Sequence, residues 1–233
     1  GDGTNFSAGA NLNLILNAAQ RKDWTGIELI SKHMQDIMQA VRFSSFPVVA
    51  APFGLVLGGG YEVIGACDKI IAAAESYIGL VEVGVGLIPG AGGNLRMLRN
   101  MSEKIKSPMP GAFPVVQKVF EVVGFAKVAT SAKKAQAYGY LRKSDEIVIN
   151  RDHILYRAKQ AVLEMAPSYE APEIDTFKLP GMSGRLVLDG SIKGFLKSKK
   201  ISEHDALIAK KLGYVLTGGD KGGPFSPVDE QYL

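Results

Sequence analysis

The sequence has little of what metal, redox and covalent chemistry usually draw on: one cysteine, three histidines and one tryptophan in 233 residues. A single cysteine excludes an internal disulfide and fits a reducing compartment, so a cytoplasmic location is expected. Cys67 sits among apolar residues with no histidine near it in sequence, the setting of a buried, unreactive thiol rather than a nucleophile. His33 falls beside an apolar stripe without a ligand partner at helical spacing, and His153 also stands alone, so no metal is expected. No apolar run reaches the length that spans a bilayer. No Gly-Lys-Ser/Thr follows a glycine cluster. After Gly84-x-Gly86 the next glycine, Gly90, comes four positions on rather than three, so the dinucleotide spacing fails as well. Nucleic-acid binding has no motif behind it. The net charge of +4 is uneven: residues 1–100 hold 7 Lys/Arg against 8 Asp/Glu and the remainder 20 against 15, which reads as a basic C-terminal part that either faces phosphate groups or, as charge alone favours, is a solvated helical surface.

What the sequence does have is glycine, 27 residues of it, and the chain is organised around the glycine-rich stretch 47–93. Pro47 to Ala51 reads as a buried strand and Gly54 to Gly60 as a segment too rich in glycine for an element interior. Tyr61 to Cys67 reads as a short helix starting on the glycines. Lys69 to Ala73 and Tyr77 to Leu80 read as strands joined at Glu75-Ser76. Ile88 to Gly93 is a loop into a helix at Asn94 to Arg99. Two helix N-termini thus rest on glycine turns, offering free N–H groups and a positive dipole end to a phosphate or an oxyanion. The oxyanion is favoured, because Glu62 follows Gly59 by three residues and so lies on the same helical turn. Glu82 lies just before the second glycine loop. A glutamate in Leu80-Val81-Glu82-Val83 is costly to bury unless it is paired or functional.

Three blocks carry a resemblance. Phe6-Ser7-Ala8-Gly9-Ala10-Asn11-Leu12, then Gly58-Gly59-Gly60-Tyr61-Glu62 with Cys67-Asp68, then Gly79-Leu80-Val81-Glu82 running to Ile88-Pro89-Gly90-Ala91-Gly92-Gly93 resemble, in order and spacing, the crotonase superfamily that includes the enoyl-CoA hydratases. VVAAPFG, GLVEVGVGLIPG and SPVDEQYL further resemble the hydratase half of bacterial bifunctional 3-hydroxyacyl-CoA dehydrogenase/enoyl-CoA hydratases. The resemblance implies an α/β fold, a crotonase-like ββα spiral core with a helical C-terminal region. The core and an inserted loop would take residues 1–114 and the helical region 115–233. Family members have further strands upstream, so a fragment of a longer polypeptide is expected.

The resemblance also implies site roles. The N–H groups of Ala10 and Gly59 would bind the thioester oxygen, Glu62 would orient and deprotonate water, Glu82 would donate a proton, and the Gly90 N–H would help hold the water. Phe6, Ser7 and Ala8 would line the adenine site of coenzyme A; Asn11 replaces the family's usual Asp. The implied activity is hydration of a 2-enoyl-CoA in fatty-acid β-oxidation. The alternatives are an enoyl-CoA isomerase or an inactive acyl-CoA-binding or docking domain. No cofactor is expected in this segment, and NAD only with an attached dehydrogenase domain. The implied partners are the acyl-CoA substrate and either further copies in a trimer-type assembly or a covalent dehydrogenase domain.

Elsewhere, Leu12 to Gln20 reads as a helix, as does Gly26 to Phe43 with Ile27, Ile30, Met34, Ile37, Met38 and Val41 on one face. Residues 100–114 read as a proline-rich loop, Val115 to Val123 and Ser131 to Tyr138 as helices, and Asp152 to Ala166 as a helix capped by Asn150 or Asp152. Residues 166–188 are expected to be mostly irregular, the lysine-rich 191–200 a solvated segment, and Ser202 to Leu216 a helix with Ser202 and Asp205 at its start. The tail is expected to be polar.

Overall fold

The structure is a computed structural model that describes residues 3–105, 113–223 and 225–233. The elements in chain order are α1 (Leu12–Gln20), α2 (Trp24–Arg42), β1 (Val49–Ala50), β2 (Leu55–Leu57), α3 (Gly59–Ala66), β3 (Lys69–Ala73), β4 (Tyr77–Gly79), α4 (Gly93–Lys104), α5 (Phe113–Val123), α6 (Ala132–Tyr138), β5 (Glu146–Val148), α7 (Ile154–Met165), β6 (Thr176–Lys178), α8 (Gly181–Lys197), α9 (Glu203–Leu216) and β7 (Pro227–Asp229). They divide into two compact units. One comprises Gly1–Gly79, Gly90–Gly93 and Val128–Pro172; the other comprises Leu80–Pro89, Asn94–Lys127 and Glu173–Leu233.

In the first unit β1, β3 and β5 form a parallel sheet in that order, with Val49 opposite Lys69 and Ile71 opposite Glu146. β3 is buried from Ile70 to Ala73 without alternation, as expected when both faces of a parallel sheet are covered. α7 covers one face: Ala158 and Ala161 pack with Ile71, Val49, Ala51 and Val148. β2 pairs in parallel with β4, Leu55 opposite Tyr77 and Leu57 opposite Gly79. Ser7 adds a parallel bridge to Val56.

Two elements here differ from the sequence expectation. β2 occupies the segment expected to have no element: three residues between Gly54 (φ +60°) and Gly58 (φ +54°) are too few to show a period, yet Val56 is fully buried. α2 begins at Trp24 because the Asp23 side chain caps it, accepting the Gly26 N–H at 2.9 Å. Its apolar stripe is also narrower than expected. Met34, Met38 and Val41 pack with Val63, Ala66 and Ala91, while Ile30 and Ile37 are exposed.

The second unit is mainly helical. α9 starts on the anticipated capping box, Ser202 and Asp205 bonding each other's backbone N–H groups. The stretch 166–188 is more ordered than expected: it contains β6 and the first half of α8. α8 has four glycines, so its propensity is poor. Packing overrides this, with Leu188 and Ile192 buried and Leu188 set so close to α9 that a Cβ on Gly213 would lie 3.4 Å from its Cδ1. The loop expected over 100–114 is helical at its start, since α4 runs to Lys104, and α5 opens at Phe113; residues 106–112 lie outside the described ones. The tail is not simply polar. β7 pairs antiparallel with β6, and Val228 and Glu230 are buried. Among the described residues no helix is long and apolar enough to cross a membrane.

Candidate active site

The glycine-rich stretch builds its geometry from backbone groups. Gly58, with φ +54° and ψ −124°, turns the chain from β2 into α3, and its N–H donates to the Gly79 carbonyl at 2.8 Å. Gly59 opens α3, so its N–H is among the helix-start donors that have no intrahelical carbonyl. Gly60 lets Ser7 sit against the helix: a Cβ there would lie 2.8 Å from the Ser7 Cβ. The Ser7 hydroxyl accepts the Gly9 N–H at 3.1 Å and turns the chain, Gly9 adopting φ +98°. Gly9 passes directly over the start of α3, where a Cβ on it would lie 3.7 Å from the Gly59 N. The Ala10 N in turn lies 3.9 Å from the position of a Cβ on Gly59. Two backbone N–H groups from segments about fifty residues apart in the chain are therefore neighbours. Ala8 and Ala10 are exposed; Phe6 and Ser7 are half-buried. The Phe6 N–H donates to the Phe53 carbonyl and the Ser7 N–H to the Leu55 carbonyl, both at 2.9 Å. Asn11 caps α1, accepting the Asn13 N–H at 3.1 Å.

Glu62, on the first turn of α3, is 5% exposed. Its Oε1 accepts the Ala91 N–H at 2.8 Å and the Gly93 N–H at 2.9 Å. Burial pushes this carboxyl above the ordinary glutamate value, and the Gly93 and Ala91 N–H groups pull it part of the way back. Gly90 is exposed, and its carbonyl accepts the Gln35 side-chain N–H at 2.8 Å. The sequence pointed to Gly90 but missed Ala91, Gly93 and Gln35; the two N–H donors to Glu62 follow Gly90 in the same GAGG run that marks the start of α4.

Glu82 belongs to the second compact unit. It opens a single 3-10 turn, Glu82–Val85, and is half-buried. The turn closes at Gly86 in the left-handed region (φ +80°), and the Glu82 carbonyl accepts the Leu87 N–H at 3.0 Å. Asn94, also in this unit and 5% exposed, donates from Nδ2 to the Pro89 carbonyl at 3.0 Å and so pins the end of the loop. Among the described residues no group of three or more His, Cys, Asp or Glu side chains is placed to hold a metal ion. Cys67 is buried and unbridged.

Solved structures share this fold. An enoyl-CoA hydratase from Thermoplasma volcanium GSS1 aligns with 93% of this chain and 71% of its own at a TM-score of 0.56 and 22% identity. One from Polaromonas sp. JS666 aligns with 92% of this chain and 70% of its own at 0.57 and 18%. At these identities the likeness establishes the fold, which is that of the crotonases. The sequence adds a second likeness: residues 1–109, just under half of the chain, match the sequence model described as enoyl-CoA hydratase/isomerase. A Bacillus subtilis (strain 168) protein described as "Probable 3-hydroxyacyl-CoA dehydrogenase" is 42% identical over 99% of this chain, which spans only 29% of that protein's length.

Proposed function

We propose that this chain hydrates a 2-enoyl-CoA thioester, as an enoyl-CoA hydratase of fatty-acid β-oxidation. One observation carries the reading: within the family-matched segment, a buried glutamate is held by two backbone N–H groups, and the Ala10 N lies 3.9 Å from where a Cβ on Gly59 would stand. In the reaction, the Ala10 and Gly59 N–H groups bind the thioester oxygen and stabilise the enolate that forms as charge moves onto it. One such donor is worth about 3 kcal/mol. Glu62 orients water and takes its proton as the oxygen bonds to C3, with the Gly90 N–H helping to hold the water. Both anchoring bonds fall on Oε1, which leaves Oε2 to meet the water. A carboxylate raised toward neutral pH is a better base than an ordinary one, and burial supplies that shift. Glu82, protonated at the start, delivers its proton to C2 and is reprotonated as Glu62 gives up the proton taken from water, so the net change is the addition of one water.

Phe6, Ser7 and Ala8 line the adenine site of coenzyme A, which is part of the substrate. No cofactor takes part in the step. The name and length of the Bacillus subtilis relative support a fused protein in which NAD serves a separate dehydrogenase domain. The reading also carries a cytoplasmic setting and either a trimer-type assembly of like copies or that covalent partner. The family description includes isomerases. An isomerase shuttles a proton with one carboxylate, so the two activities part on mutation: Glu62→Gln and Glu82→Gln should each cut hydration sharply, by about 100-fold or more. Survival of double-bond migration in a 3-enoyl-CoA after loss of one glutamate would favour the isomerase instead.

A further inference from the structure

A hydrogen-bonded path runs from the outer helix α2 into the carboxylate of Glu62. Gln35 donates from Nε2 to the Gly90 carbonyl at 2.8 Å. That carbonyl and the Ala91 N–H belong to one planar peptide unit, in which they point in opposite directions. The Ala91 N–H then donates to Glu62 Oε1 at 2.8 Å. We infer that Gln35 is a positioning residue for Glu62, setting the rotation of the Gly90–Ala91 peptide so that its N–H is aimed at the carboxylate.

Three observations carry this beyond a surface hydrogen bond. The rotation of this peptide turns on ψ of Gly90 and φ of Ala91, and Gly90 carries no Cβ, so its local backbone does little to fix it. α2 is itself anchored beneath that peptide, because Met38, one turn on from Gln35, packs with Ala91 and Ala66 of α3. Gln35 therefore projects from a support that also holds the helix bearing Glu62. Finally, a carbonyl that accepts a hydrogen bond polarises its own peptide and strengthens the N–H on the other side. Gln35 touches neither water nor thioester in this account; it acts through a peptide it does not belong to.

The inference rests on the proposed role of Glu62, and its test separates the two. In the full 233-residue chain, Gln35→Met keeps length without a donor, Gln35→Glu keeps length with only acceptors, and Gln35→Lys restores a donor. Gln35 is exposed on α2, so none of the three should disturb folding. Turnover of crotonyl-CoA should fall about tenfold or more in Gln35→Met and Gln35→Glu, since small misplacements of a catalytic group cost up to ~100-fold. KM should change little, and Gln35→Lys should recover most of the loss. Hydrogen exchange of the Ala91 amide should speed up in the first two variants and not in the third. Wild-type turnover in Gln35→Met, or a loss that Gln35→Lys shares equally, overturns the inference. If the unmodified chain does not hydrate at all, the functional reading fails. Amide exchange then decides the positioning role alone: faster exchange at Ala91 in Gln35→Met upholds it and unchanged exchange overturns it.

Discussion

Glu62 Oε1 accepts the N–H of Gly93, the first residue of α4, at 2.9 Å. This bond opposes burial, and burial sets the sign. The folded-state pKa of Glu62 is raised, with burial outweighing the Gly93 and Ala91 N–H groups. The folded chain therefore binds this proton more tightly than the unfolded chain does. The cost of burying the charge is absent below the unfolded pKa, grows as pH rises toward the folded pKa, and is present in full above it. Glu62→Gln carries no such cost, and its side-chain oxygen can still accept both N–H groups. It should melt a few degrees higher than the wild type near neutral pH, with the gap closing on acidification through the carboxylate range. Hydration should fall ~100- to 10,000-fold in the same variant. Thermal melts across pH, run beside crotonyl-CoA kinetics, check both.

Gly59→Pro removes one of the two neighbouring N–H groups. Proline is tolerated at the first residue of a helix, where the N–H has no intrahelical partner. A Cβ at this position meets nothing nearer than the Ala10 N at 3.9 Å. The variant should therefore fold, and lose about 100- to 1,000-fold in turnover. Circular dichroism against kinetics separates the two effects.

In the second unit, Arg96 of α4 lies 3.7 Å from Glu230, and both side chains are almost fully buried. Glu230 Oε1 also accepts the Asp175 N–H at 3.0 Å, tying the tail to the strand β6 beside it. Glu230→Leu removes both the carboxylate facing Arg96 and the acceptor of the Asp175 N–H, and should cost about 1–3 kcal/mol. The double variant Arg96→Met with Glu230→Leu should recover part of that loss, because an apolar pair avoids the desolvation of two charges. Urea unfolding of the single and double variants measures the difference.

Tyr169 donates to Asp68 at 3.1 Å, and burial followed by that carboxylate pushes the phenol up to about 12. Tyr169 thus stays a donor at any pH where the protein works. Asp68 keeps the Val48 N–H at 2.8 Å when the hydroxyl is removed. Tyr169→Phe should cost about 1 kcal/mol of stability and leave hydration unchanged.

Local signals in the sequence were read correctly where the cause was local. α1 and β3 fall on the expected residues, and α9 starts at its capping box because cap and carboxylate lie three residues apart. What the sequence hid depends on distant partners. β2 is three residues between two glycines and is specified by pairing with β4 and Ser7. α8 looks irregular because of its glycines, and only the seat of Leu188 against Gly213 shows why it is helical. Glu230 reads as a tail charge until Arg96 is seen opposite it. The place of Glu62 on the first turn of α3 was legible from its spacing to Gly59. Gln35 was not: it sits on the polar side of a surface helix, 55 residues from the carbonyl it holds.

The most direct measurement is to mix the purified chain with crotonyl-CoA, follow the loss of enoyl-thioester absorbance, and determine the mass of the product. The account predicts a gain of one water, abolished in Glu82→Gln even though that near-isosteric variant still binds a substrate analogue. Binding without a change in mass, or undiminished hydration in Glu82→Gln, would contradict it.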